Sequence, residues 1–340
     1  MIWVAWRQHR QQAMAGAGLL ALLGAFVLVT GLQMSHSFHS TGLADCIKIS
    51  QNPSCFDLSD AFMRRFGSEQ VFAILFVVLP VLAGMFWGAP LVARELERGT
   101  QRLAWTQSIS RRRWLSWKVG FVGAVTALAG AVFALLVSWW MSPLLKVTSY
   151  RDNSGAAGFR PGLFDLHGVV PIGYALFALA LGLALGHVIG KVLPAMGATL
   201  AGFIGVRVIV ELFARPHYIA PKIANLRFLG PDAHGWTIKA YSIDASGRRF
   251  AANGISPSDI TYFRAHCPGF PMGPGVVGPK ADVAAKLADA CYTRVGLHTI
   301  EAYQPASRYW TFQWIEFAIF VGLAIALVGF VVWRINRTAS

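Results

Sequence analysis

The stretch RELERGTQRLAWTQSISRRRW, residues 94–114, decides how the chain is read. It packs eight charged residues into twenty-one positions, in a 340-residue chain of which only 14% is charged. Ordinary soluble domains carry about 25% charged residues. Uncharged apolar runs flank it on both sides, at residues 71–93 and 119–145. A bilayer crossing needs about 20 predominantly apolar residues, so the charged stretch reads as a loop between two membrane spans.

Working outward, four further apolar runs of that length stand at residues 13–32, 168–190, 192–213 and 312–333. All six are rich in Leu, Val, Phe, Gly and Ala, as lipid-facing and close-packed helices are. Six buried helices in a soluble protein of this length would have nothing left to cover them. The sequence therefore predicts an all-α polytopic membrane protein with six transmembrane helices.

The net charge of +14 is mainly topological and does not point to nucleic acid. Six spans put both termini on one side. That side collects Arg7, Arg10, the seven basic residues of 94–118, Lys191, Arg334 and Arg337, twelve in all. The two short loops opposite, residues 33–70 and 146–167, hold six. The positive-inside rule then places both termini and loop 94–118 in the cytoplasm.

Trp3 and Trp6, one helical turn apart beside Arg7 and Arg10, predict an amphipathic surface helix over residues 1–12. Residues 13–213 carry the first five spans. Residues 214–309 break the pattern with Pro/Gly runs and a helix-like KADVAAKLADACYTRV, and read as an extracytoplasmic domain. Residues 310–340 supply the sixth span and a cytoplasmic tail.

Cys46, Cys55, Cys267 and Cys291 all fall outside the spans, on the side away from the cytoplasm. Disulfides persist in oxidising compartments. Of the three possible pairings, Cys46–Cys55 with Cys267–Cys291 closes the shortest rings and is expected.

Three ionisable residues stand inside spans. Arg207 and Glu211, four apart, share one helix face, and Glu316 lies at similar depth in the sixth span. Such charges cost several kcal/mol unless paired. They are expected either to pin the fifth and sixth spans together or to line a pathway. Enzyme signatures and a phosphate-binding loop are missing from the sequence, and no metal site is expected. GPGVVGPK (273–280) has Pro279 where the essential lysine belongs.

Within loop 94–118 the residues have a recognisable order. Arg94, Glu95, Glu97 and Arg98 continue the second span into water. Gly99 breaks that turn, and Thr100 can cap a short helix containing Arg102, Leu103 and Trp105. Ser108–Arg111 and Lys118 follow. Glu95, Gly99-Thr100, the apolar patch, SISR and Lys118 resemble the pattern of permeases of ABC-2-type exporters. The ending YQPASRYWTFQWIEFAIFVGLAIALVGFVVWRINR is similar to actinobacterial members. Ser108 departs from the family's usual Pro, and the segment 214–309 is unusually large.

The resemblance implies a transport subunit that is not itself an enzyme. A separate cytoplasmic ATPase chain would bind ATP and Mg, and this chain would hold no cofactor. A second permease chain, in a homodimer or heterodimer, would complete the pathway. The loop would be the coupling helix, with Arg94, Glu95, Glu97, Arg98 and Arg102 in polar contact and Leu103 and Trp105 packed into a cleft. The expected setting is a bacterial cell membrane, and the expected activity is efflux of an amphipathic or hydrophobic compound. The rival readings are a membrane-embedded enzyme of lipid or envelope chemistry, and an extracytoplasmic ligand sensor or scaffold.

Overall fold

The computed structural model describes residues 2–48, 53–98, 111–151, 156–226, 235–251, 257–267 and 279–337. The chain divides into two compact units. The first contains residues 1–151, 157–215 and 310–340; the second contains residues 152–156 and 216–309.

The first unit is helical. Helix α1 (Ile2–Ser40) runs without a break, where the sequence reading put a boundary near residue 12. Three short helices follow: α2 (Leu43–Cys46), α3 (Pro53–Phe66) and α4 (Ser68–Phe76). Cys46 is bonded to Cys55, which ties α2 to α3. Beyond them come α5 (Leu79–Ala83), α6 (Ala89–Arg98) and α7 (Arg111–Arg151). The unit closes with α8 (Val170–Ile189), α9 (Val192–Ile209) and α10 (Tyr309–Arg337), whose first residue falls in the second unit.

Among the described residues five helices are long and apolar enough to cross a membrane: Ala21–Ser40, Val119–Arg151, Val170–Ile189, Val192–His217 and Ala306–Ile335. The expected second span is not among them. Residues 71–93 are interrupted at Val77–Val78, just before Pro80, whose missing N–H and ring cannot continue a helix from the preceding turn. A π-helical turn (Gly84–Gly88) then separates α5 from α6. The apolar helical piece left there is the shorter Leu79–Arg94.

The π-helical turn lies where this segment meets α8 most closely. An added Cβ on Gly84 would lie 2.3 Å from the Ala178 carbonyl oxygen, and one on Gly88 2.6 Å from that of Leu179. The approach is reciprocal: a Cβ on Gly182 would meet the Gly84 oxygen at 2.3 Å, and one on Gly186 the Ala89 oxygen at 2.4 Å. Glycines four apart on both partners let the two backbones touch, as small residues do at close membrane-helix contacts. Helix α8 is apolar all round and is the central helix. It packs on α5, α6, α7 and α9.

A separate core joins α1, α3, α4 and α7. Met34, Phe38, Phe62, Phe66, Phe76, Trp140 and Leu144 are all buried in it. Trp140 Nε1 donates to Thr30 Oγ1 at 3.0 Å, so the one polar atom of that indole is satisfied.

The second unit corrects the all-α expectation. It holds a four-stranded antiparallel sheet of β1 (Lys222–Leu226), β2 (Gly235–Ile243), β3 (Arg249–Ala251) and β4 (His298–Pro305), in the order β1-β4-β2-β3. Lys222 pairs with Tyr303 and Ile243 with His298, with an irregularity between Thr237 and Lys239. Among the described residues two helices, α11 (Pro257–His266) and α12 (Pro279–Val295), accompany the sheet. Cys267 is bonded to Cys291, and both lie in a small core with Phe250, Phe263, Val295 and Leu297.

Candidate functional site

The first unit contains a dense group of buried charges. Arg215 stands just past a π-helical turn (Val210–Ala214) that continues α9, and its side chain is 2% exposed. Its Nε donates to Glu316 Oε2 at 2.8 Å, and its Nη2 donates to Glu316 Oε1 at 2.7 Å and to Asp165 Oδ1 at 2.6 Å. The Asp165 and Glu316 side chains are fully buried. Tyr174 of α8 donates its hydroxyl toward the same two carboxylates, at 2.8 Å from Asp165 Oδ1 and 2.5 Å from Glu316 Oε1. The Arg215 guanidinium also lies over the Phe164 ring, 4.2 Å from its centroid.

Arg207 forms the outer layer. Its Nη2 pairs with Asp165 Oδ2 and lies 3.8 Å from Glu211 Oε2, while its buried Nε has no hydrogen-bond partner among the described residues. Glu211 is also 3.9 Å from Arg215 Nη1. Two guanidiniums thus face three carboxylates, with close bonds to Asp165 and Glu316 and the longest separations to Glu211. Charge-assisted bonds of the central kind are about twice as strong as neutral ones.

The loop before α8 is built to present Asp165. A short 3-10 turn (Ala157–Phe159) opens it, and the Gly162 N–H donates to Asp165 Oδ2 at 3.2 Å. Gln313 of α10 spans the loop: its Oε1 accepts from the Val169 and Val170 N–H groups at 3.1 Å each, and its Nε2 donates to the Phe164 carbonyl at 2.9 Å. It thereby satisfies orphan donors at the start of α8. Gly168 sits at φ +85°, and a Cβ there would meet Gln313 Oε1 at 2.5 Å. Burial works against the Asp165 charge, yet Arg215 and Arg207, with the Tyr174 bond, hold its carboxyl below the usual range. Burial pushes His167 down to about 4, so it is neutral at pH 7.

Of the three intramembrane charges read from the sequence, Arg207 and Glu211 do approach each other. Glu316, however, is held by Arg215 and Tyr174. Sequence reasoning missed Arg215, Asp165, Tyr174 and Gln313. Arg215 had a signal: Arg207, Glu211 and Arg215 repeat at four-residue intervals on one face. Asp165 is the sole acidic residue of the connection 156–169.

The coupling residues divide in two. Arg94, Glu95, Glu97 and Arg98 lie on the last turns of α6, with Arg94 partly buried and Glu97 exposed. Gly99, Thr100, Arg102, Leu103 and Trp105 lie outside the described residues. Among the described residues, no three His, Cys, Asp or Glu side chains are grouped so as to hold a metal ion.

The family described as ABC-2 membrane transporter related matches residues 17–215, more than half of the chain. The match includes the loop 94–118 and the cluster residues Asp165, Tyr174, Arg207, Glu211 and Arg215. Neither a curated protein nor a solved structure matches the chain. The chain is thus a membrane protein that belongs to the ABC-2 membrane transporter related family, as a permease subunit.

Proposed function

We propose that this permease works as a pair with a second permease chain and with a separate ATP-hydrolysing chain docked at residues 94–118. It exports an amphipathic or hydrophobic compound from the cytoplasm or inner leaflet of a bacterial cell membrane. Both termini and loop 94–118 face the cytoplasm, and residues 214–309 lie outside.

One observation carries this reading. Helix α6 holds the first limb of the loop, Arg94 to Arg98, and is also in backbone contact with α8 through Ala89 and Gly186. A push on the loop therefore moves α6 as a rod, and the seam leaves α8 no room to stay behind. Close-packed interfaces of this kind respond by shifting between discrete arrangements and not by compressing. At the far end of α8, Tyr174 ties it to the buried ionic cluster. In this account the cluster is the clamp that makes α8, α9 and α10 move as a set.

The test is photo-crosslinking in native membranes. A photoreactive amino acid at Glu97, which is exposed, is expected to form an adduct with an ATP-binding chain. An equivalent probe at the exposed Leu128 should not. Adducts from both positions, or from Leu128 alone, would count against the docking site.

A further inference from the structure

An apolar crevice of about 240 Å³ opens in the first unit between α7 and α10, with α8 and α6 as its floor. Its lining includes Leu91, Gly123, Leu179, Leu183, Ile325 and Val328, and every other lining residue is apolar too. Three of the four helices that form it, α7, α8 and α10, are long and apolar enough to cross a membrane, so hydrocarbon is what surrounds it. A dry apolar space of this size takes up apolar matter and not water.

The two rim helices carry the same pattern at the same end. On α7, Lys118 directly precedes the lining residue Val119, and beside it Trp117 is 72% exposed. On α10, Arg334 follows Val328 by six residues, about 9 Å of helix rise, and its neighbour Trp333 is 50% exposed. Arg337 lies over the Trp333 ring, 4.5 Å from the centroid. Paired tryptophans and basic residues mark the headgroup layer. Basic positions between membrane helices on the cytoplasmic side suit anionic lipid headgroups.

A polar group lies just beyond the crevice floor. His187, one turn past Leu183 on α8, keeps a buried Nδ1 with no hydrogen-bond partner among the described residues. Arg334 is close enough for its charge to act on that imidazole.

We propose that the crevice holds one acyl chain of an anionic phospholipid, whose phosphate sits at the level of Lys118 and Arg334. The lipid fills the gap between α7 and α10 and ties both to α8. This inference needs only a membrane and is independent of ATPase docking, so either can fail without the other.

The test is native mass spectrometry of the full chain in mild detergent, supplied with phosphatidylglycerol or phosphatidylcholine. One phosphatidylglycerol per chain should remain after detergent exchange, and phosphatidylcholine should be washed away. A Cβ on Gly123 meets nothing within 4 Å, so Gly123→Phe fills the crevice without backbone conflict. It should lower phosphatidylglycerol retention by about tenfold or more, since losing two buried methylenes suffices for that. Gly120→Phe, equally open on the same helix but outside the crevice, should leave retention unchanged. Ile325→Trp, at a rim position 68% exposed, provides a second obstruction should Gly123→Phe fold poorly. Arg334→Gln should narrow the preference for phosphatidylglycerol. Equal retention of the two lipids, or full retention in both crevice variants, would overturn the proposal.

Discussion

Arg215 donates Nε and Nη2 to the two carboxylate oxygens of Glu316, 101 positions further along the chain, at 2.8 and 2.7 Å. This two-pronged bond joins the end of α9 to α10 in a place without access to water. Removing one partner of such a pair leaves a buried charge uncompensated, which costs about 3–5 kcal/mol. Arg215→Gln is expected to destabilise the protein by that amount in detergent thermal unfolding. Arg207→Gln should cost about 1–2 kcal/mol less, because Arg207 is 18% exposed and its Nε has no partner to lose among the described residues. Equal losses from the two variants would contradict the layered arrangement.

The glycine seam gives a prediction of sign. Gly to Ala inside a helix ordinarily stabilises by about 0.5–1 kcal/mol. That gain is expected at Gly322, where an added Cβ meets nothing within 4 Å. At Gly182 the Cβ would lie 2.3 Å from the Gly84 oxygen, and overpacking of this kind costs about 1–3 kcal/mol. Thermal unfolding of Gly182→Ala and Gly322→Ala should therefore shift in opposite directions.

How far the sequence carried these results follows from where each signal lives. Apolar length is a local property, so the long helices were legible. The broken second span was not, because the apolar run continues across Pro80 without a change in composition, and the four-residue glycine spacing at Gly84 and Gly88 does not name α8 as the partner helix. The sheet was hidden for another reason. The buried positions of β2 and β4 include Ser242, Thr299, Glu301 and Gln304, so apolar and polar residues do not alternate as strands usually do. Ser242 and Thr299 pair their hydroxyls at 2.8 Å, and Thr237 donates to Glu301. The ionic cluster was half legible: charges within one helix can be paired by spacing, but the pairing of Asp165 with Arg215 is set by the fold.

In the second unit, Asp244 organises the turn between β2 and β3. Its Oδ1 accepts from the Ser246 and Arg248 N–H groups at 2.9 Å each, and its Oδ2 accepts from the Tyr262 hydroxyl at 2.5 Å. Partial burial opposes the charge, but the bonds from Ser246, Tyr262 and the backbone hold its carboxyl down at about 2. A depressed carboxylate contributes fully above its unfolded value near 3.9, and the contribution fades as pH falls toward 2. Hydrogen exchange over residues 241–251 should show wild type better protected than Asp244→Asn at pH 5. The difference should shrink steadily on acidification and be mostly gone at pH 2. A gap independent of pH would refute the assignment.

The Cys267–Cys291 bond closes a segment of 24 residues. Cross-links over such lengths stabilise by about 3 kcal/mol through restriction of the unfolded chain. Double replacement with Ser should lower the stability of the second unit by about that amount. Proteolysis of the full chain should then cut within residues 216–309 first, with the helices of the first unit resisting. Unchanged cleavage would mean the bond adds little to the sheet and its two helices.

Coupling of this permease to a separate ATPase through residues 94–118 is open to direct measurement. The direct measurement is isolation of the tagged chain from its native membrane in mild detergent, with mass spectrometry and ATP turnover on the eluate. A stoichiometric ATP-hydrolysing partner is expected, lost when Glu95 and Glu97 are both replaced by Arg. With Gly99→Pro the partner should remain bound while its turnover no longer responds to the permease. A chain that emerges alone under several gentle conditions, or a partner indifferent to both changes, would contradict it.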